Sequence, residues 1–164
     1  MNSSIQQTIA DNPLRPLGRF SRLSYLGWSF LMNLIFFVAI GIPILILANS
    51  FDPDAFAKYT VLFMLICGLT GLILLYLSIV FLIRRLHDCN RSAWLGLLII
   101  VPVINLFFIL YLLCAKGTEG PNNFGPVRET RGWEKVLGSI YAVLFPLGLI
   151  LNILMSIASM SAPH

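Results

Sequence analysis

Four stretches of the chain contain neither a charged residue nor a histidine: Tyr25–Ala48, Tyr59–Ile83, Ser92–Ala115 and Val136–Pro163. Each exceeds the run of about 20 apolar residues that crosses a hydrocarbon layer of about 30 Å at about 1.5 Å per helical residue. Lipid offers no partner to a free peptide group, and the runs lack the polar and apolar alternation of a barrel strand, so all four are predicted as helices. The fold class that follows is an all-α integral membrane protein with about four hydrophobic helices. The third, which carries Pro102 and Asn105 in IIVPVIN, is expected to be kinked or broken near Pro102. A soluble bundle would need charged outer faces, and only 11% of the residues are charged against 58% apolar ones, at a mean hydropathy of +0.87.

The organisation expected is a polar N-terminal tail over 1–17, a membrane core over 18–126 with three apolar segments, and an interfacial linker with an additional C-terminal transmembrane helix over 127–164. The tail MNSSIQQTIADNPLRPL has no cleavable leader pattern, and Pro13 and Pro16 oppose a regular helix before the membrane surface. Of the three cysteines, Cys67 and Cys114 lie in apolar runs and read as small core residues. With Cys89 odd in number and no CxxC spacing, neither a disulfide framework nor a zinc site is indicated.

The basic residues pose the topological question. Arg15, Arg19 and Arg22 precede the first run, Arg84, Arg85 and Arg91 follow the second, and Lys116, Arg128, Arg131 and Lys135 follow the third; only Lys58 lies elsewhere, near Asp52 and Asp54. If the third run crosses, the basic residues divide six to five between the two sides; if it folds back as a hairpin, they divide ten to one. Irregular backbone at membrane depth must be covered by protein or water, so the reading adopted on backbone grounds is a continuous, Pro-kinked span. The N-terminus is expected on the cytoplasmic side. Trp28, Trp94 and Trp133 each follow a basic cluster closely and are expected to form an interfacial belt.

RRLHDCNRSAW, residues 84–94, concentrates charge between two apolar runs. His87 beside Asp88 suggests an acid/base pair, but neighbours on a helix point about 100° apart. Asp88 lies four residues after Arg84 and three after Arg85, which places it to neutralise part of the arginine cluster. The other arginines are expected to face phosphate headgroups or another acidic partner. In KGTEGPNNFGP, Gly117, Gly120 and Gly125 with Asn122 and Asn123 favour turns of positive φ, whose free amides can cradle an anion, although a compact interfacial turn is the simpler reading. No Walker pattern, H-E-x-x-H or G-x-S-x-G is present.

Taken together, GRFSR at 18–22, RRLHD at 84–88, RSAW at 91–94, VPVIN at 101–105 and GTEGPNNFG at 117–125 resemble the bacterial inner-membrane family called domain of unknown function 805. The resemblance covers about residues 18–126. The family pattern maps onto Gly18, Arg19, Ser21 and Arg22, then Arg84, Arg85, Leu86, His87 and Asp88, then Ser92 and Trp94, and finally Gly117, Thr118, Gly120, Asn122 and Gly125. Ala93 and Asn105 replace glycines common in the family, and the fourth apolar run lies beyond its core. The resemblance implies residence in a bacterial inner membrane and supplies no reaction.

The reading reached is a small multi-pass membrane protein without catalysis, whose Arg19, Arg22, Arg84, Arg85, His87, Asp88, Arg91, Trp94, Gly117, Thr118, Gly120, Asn122 and Gly125 form an interfacial binding or assembly surface supporting the envelope. No catalytic residue, metal or cofactor is assigned. The partners expected are anionic lipid headgroups, other membrane proteins or a second copy, not nucleic acid, because the basic residues flank apolar runs instead of forming a solvated stripe. The alternatives are a small-solute or ion transporter, disfavoured by charge-free spans, and a lipid-modifying enzyme built on His87 and Asp88.

Overall fold

A computed structural model of the chain describes residues 12–49 and 55–161. Most of the polar tail, the Asp52 and Asp54 pair and His164 lie outside the described residues. The chain is all α. Helix α1 (Arg22–Phe36) runs through a π turn (Phe37–Gly41) into α2 (Ile42–Ala48); α3 is Ala55–Asp88, a 3-10 helix covers Ala93–Ile100, α4 is Ile104–Cys114 and α5 is Gly132–Ser161.

Three helices among the described residues are long and apolar enough to cross a membrane: Arg22–Ile46, Lys58–Asp88 and Gly132–Met160. Ser21 starts the first by accepting the Ser24 amide at 3.2 Å, a side-chain cap for an otherwise orphan donor. The π turn lies just before Pro43, which has no amide to offer the carbonyl four residues back; a local π adjustment is how apolar helices absorb such a loss. Pro146, by contrast, sits inside an unbroken α5.

The third apolar run is broken near Pro102, one of the two forms expected for it, and is not the continuous helix that backbone cost favoured. Helix α3 stops where Asn90 takes a left-handed conformation (φ 53°). The Asn90 amide then bonds the His87 carbonyl at 3.0 Å and the Arg91 amide the Leu86 carbonyl at 2.9 Å, the paired closure that ends a helix and reverses the chain. Ser92 caps the 3-10 helix by accepting the Trp94 amide, and the run breaks at Val101–Val103. Val103 has φ 68° and ψ −50°, a γ-turn geometry uncommon for a β-branched residue.

The chain then returns as α4, whose 11 residues reach about 16 Å, roughly half the hydrocarbon thickness. Both ends of the segment meet α3 at one place: the Thr118 amide bonds the Asp88 carbonyl at 2.8 Å. The backbone cost that argued against a hairpin is met locally, since the amides of Val101, Ile104 and Asn105 bond Leu98, Pro102 and Val101 carbonyls at 3.2, 2.8 and 2.9 Å. Ten of the eleven Lys and Arg residues consequently gather at one end of the bundle.

Packing follows small residues. A Cβ on Gly138 would lie 2.4 Å from the Leu23 carbonyl oxygen, and one on Gly27 would lie 2.8 Å from that of Glu134, so α1 and α5 meet backbone to backbone. Gly96 brings the 3-10 helix against Leu82, beside a cluster of Leu82, Leu86, Phe108 and Leu112. Gly68, Gly71 and Gly148 have open space where a Cβ would stand, and Cys114, read as a core residue, is exposed.

The folded-back segment generates a topological prediction. Single cysteines at exposed Arg91 and Glu129, in a background without native cysteines, will react with a membrane-impermeant thiol reagent from one side, and a cysteine at Lys58 from the other. A continuous third span would give Glu129 and Arg91 opposite labelling.

A buried arginine clasp as the candidate functional site

The charged residues of RRLHD lie inside protein, although the arginines not neutralised by Asp88 were expected to face phosphate headgroups or another acidic partner. Arg19, Arg84 and Arg85 are 1%, 0% and 0% exposed, and burying a guanidinium demands an acceptor for each donor direction. Arg85 donates from Nε to the Leu112 carbonyl (2.8 Å), from one terminal nitrogen to Asp88 (2.7 Å) and from the other to the Ala115 carbonyl (2.5 Å). It thereby holds the last turn of α4, where helical carbonyls lack partners within their own helix.

Arg84, one residue earlier, points elsewhere. A single terminal nitrogen of its guanidinium reaches the carbonyls of Asn12 (3.0 Å), Arg15 (3.1 Å) and Leu17 (2.5 Å), tying the segment before α1 to the end of α3. Its guanidinium also lies 4.3 Å from the Phe20 ring centre.

Arg19 closes the arrangement. Its Nε donates to Asp88 Oδ1 at 3.1 Å, and its terminal nitrogens donate to the carbonyls of Gly120 (2.7 Å), Thr118 (2.6 Å) and Gly125 (3.4 Å). The glycine-rich turn thus presents carbonyl oxygens to a guanidinium, not amides to an anion. Left-handed geometry occurs at Gly120 (φ 75°) and Gly125 (φ 122°) but not at Gly117. Gly117 is required by proximity: a Cβ there would stand 2.0 Å from an Asp88 carboxylate oxygen.

Asn122 locks the loop, donating to the His87 carbonyl at 2.7 Å and to the Thr118 hydroxyl at 2.8 Å while accepting the Phe124 amide at 2.9 Å. Thr118 donates its hydroxyl to the Asp88 carbonyl at 3.0 Å. His87 stacks on Phe124 with centroids 3.9 Å apart, and its buried Nδ1 has no hydrogen-bond partner among the described residues. The Asp88 carboxylate is engaged by Arg19 and Arg85; the two adjacent residues thus serve different neighbours.

The structure therefore gathers Arg19, Arg84, Arg85, His87, Asp88, Gly117, Thr118, Gly120, Asn122 and Gly125. Arg22, Arg91 and Trp94 stand outside the clasp and are exposed, Trp94 by 79%. The interfacial belt is also divided: Trp28 sits in an aromatic cluster with Phe20, Phe81 and Trp133.

A second buried ion pair, absent from the sequence reading, adjoins the first. Glu134, fully buried, accepts two bonds from Arg128 (2.8 and 2.6 Å), one from the Ser24 hydroxyl (2.8 Å) and one from the Trp28 indole (2.9 Å). Phe20 lies between the two clusters, with Arg128 5.1 Å and Arg84 4.3 Å from its ring centre. The signal available in sequence was an acidic residue directly before an apolar run that otherwise begins with basic ones.

Fold and site define an all-α integral membrane protein whose helices are joined at one polar end by buried guanidinium groups. The chain belongs to the family described as "Protein of unknown function (DUF805)", whose profile matches residues 14–126. It is 51% identical over 43 residues to "Inner membrane protein YhaH" of Escherichia coli K12, a match covering 26% of this chain and 36% of that protein. It is 41% identical over 66 residues to "Inner membrane protein YhaI" of the same strain, covering 34% and 56%. The chain thus spans between about a third and just over half of the length of these relatives. No solved structure matches it.

The donor directions predict unequal tolerance of lysine. Arg85→Lys loses bonds aimed three ways and will destabilise the solubilised protein by about 3 kcal/mol or more, given about 1.5–3 kcal/mol per charged hydrogen bond. Arg91→Lys, at an exposed position outside the clasp, will cost clearly less. Equal losses in a thermal melt would contradict this account of the clasp. Gly117→Ala, a change of one methyl group, will be as damaging as Asp88→Asn.

Proposed function

We propose that this protein is a non-enzymatic component of the bacterial inner membrane. In this reading the clasp holds a rigid polar platform at the cytoplasmic face, and the exposed basic rim around it engages anionic headgroups or an acidic partner in envelope maintenance. The observation that carries the reading is the use of the clasp's donors. Arg19 and Arg85 spend theirs on Asp88 and on backbone carbonyls, so the motif acts as a fastener.

Ligand contact then falls to Arg22, Arg91, Arg131 and Lys135, all exposed at the same end. The names of the inner-membrane relatives support the location. The ten-to-one division of basic residues supports a cytoplasmic N-terminus and platform. Each basic residue close to an anionic leaflet contributes about 1 kcal/mol, so four together form a substantial lipid-facing charge.

The test is lipid retention. Protein extracted from membranes in polymer-bounded discs will carry more phosphatidylglycerol than the bulk membrane. Replacing Arg22, Arg91, Arg131 and Lys135 together by glutamine will abolish that enrichment while the melting temperature stays within a few degrees. Unchanged enrichment in the folded variant would refute the rim as the ligand surface.

A further inference from the structure

Directly on the membrane side of the clasp, α1, α3, the folded-back segment and α5 enclose a cavity of about 250 Å³. Its wall includes Tyr25, Ser29, Asn33, Ser78, Phe81 and Tyr141. A groove of about 400 Å³ on the outer side of α1 and α5 shares Asn33, Tyr141 and Phe145 with it. Between the two, the Asn33 amide donates to the Tyr141 hydroxyl at 3.2 Å. Gly148 lines the groove, with open space where a Cβ would stand. The cavity and the groove thus share a wall at Asn33, Tyr141 and Phe145.

The polar groups here differ from those of the clasp. Among the described residues, neither the Tyr25 nor the Ser29 hydroxyl has a hydrogen-bond partner, whereas Ser78 bonds its own helix at Leu74. An unpaired hydroxyl at membrane depth costs free energy that an incoming acceptor recovers. The cavity wall carries no ionisable acid or base apart from the two phenols, so it suits neutral oxygens attached to hydrocarbon.

Arg22, Tyr25, Ser29 and Asn33 recur at spacings of three and four residues, which aligns them on one face of α1. Arg22 is exposed at the polar end; Tyr25 follows about 4.5 Å deeper and Ser29 about 10 Å deeper along the helix. Phe81 and Phe145 supply apolar walls. Cation, neutral hydroxyls and apolar wall follow one another in the order phosphate, ester and acyl chain of a glycerophospholipid.

We propose that this cavity binds one anionic glycerophospholipid, with its phosphate on Arg22, its ester oxygens at Tyr25 and Ser29, and one acyl chain entering past Asn33 and Tyr141. The proposal rests on the basic rim as the lipid-facing surface and assigns one member of that rim a defined site.

The experiment uses the full chain in phosphatidylcholine vesicles containing trace phosphatidylglycerol or trace phosphatidylcholine, each with a photoreactive diazirine in one acyl chain, and maps adducts by peptide mass spectrometry. Phosphatidylglycerol adducts will concentrate on residues 25–33 and 141–145 and exceed phosphatidylcholine adducts there about fivefold, the ratio that corresponds to about 1 kcal/mol for one arginine. Arg22→Gln will bring the two probes to parity, and Ser29→Leu, which fills the cavity, will remove adducts of both. Adducts spread evenly over the three long helices would overturn the proposal, as would an unchanged probe ratio in Arg22→Gln. If Ser29→Leu does not fold, the Arg22→Gln ratio decides. Retained phosphatidylglycerol enrichment in discs without cavity adducts would refute the site and leave the rim standing; loss of both would refute the rim as well.

Discussion

Three guanidinium groups are buried at one end of this bundle, two of them on the carboxylate of Asp88, and the remaining architecture depends on how they are satisfied. Asp88 compensates Arg19 and Arg85 directly; backbone carbonyls supply most of the other acceptors. Those carbonyls belong to different pieces of chain: the segment before α1, the end of α4 and the loop after it. Because apolar helices in lipid gain little from hiding apolar surface against one another, polar fastening of this kind orders segments that hydrophobicity leaves unsorted. The same bonds explain why the third apolar run returns. Its last carbonyls at Leu112 and Ala115 are held by Arg85, one turn before the end of α3, so the two ends of the segment meet there.

The class of protein was legible in the sequence because the solvent enforces it: a charge-free run of more than 20 residues has few homes other than a bilayer. The path of the third run was not, because two physical rules opposed each other. Charge distribution favoured a hairpin, and the cost of irregular backbone in lipid favoured a span. The deciding features were the left-handed Asn90 and the local bonds around Pro102, and neither is a property of composition.

Within the site, spacing correctly paired Arg85 with Asp88, since three residues on a helix share a face. It left the polarity of GTEGPNNFG open. Glycines and asparagines announce turns, but whether a turn aims amides or carbonyls inward depends on what stands opposite, here Arg19 some 100 positions earlier. The Arg128–Glu134 pair escaped for a related reason. Its other partners, Ser24 and Trp28, lie more than 100 residues away, and no local motif links them. The segment after residue 126 is also more than an appendage to the matched region, since Glu134 and Gly138 seat α5 against α1.

Clasp and cavity lie one above the other and treat polar atoms in opposite ways. In the clasp, the donors of Arg19 and Arg85 meet acceptors from the same chain and have little left to offer a ligand. In the cavity, neutral hydroxyls at Tyr25 and Ser29 face space between helices and lack partners among the described residues. Water at the polar end satisfies such groups at modest cost, but hydrocarbon does not, so their depth decides what completes them. Arg22 bridges the two environments: it shares a helix face with the cavity hydroxyls yet stays outside the clasp, and its charge is available where theirs ends. A structure that fastens Arg19, Arg84 and Arg85 internally and leaves Arg22 exposed on the helix face that carries the cavity hydroxyls has separated the work of folding from the work of recognition.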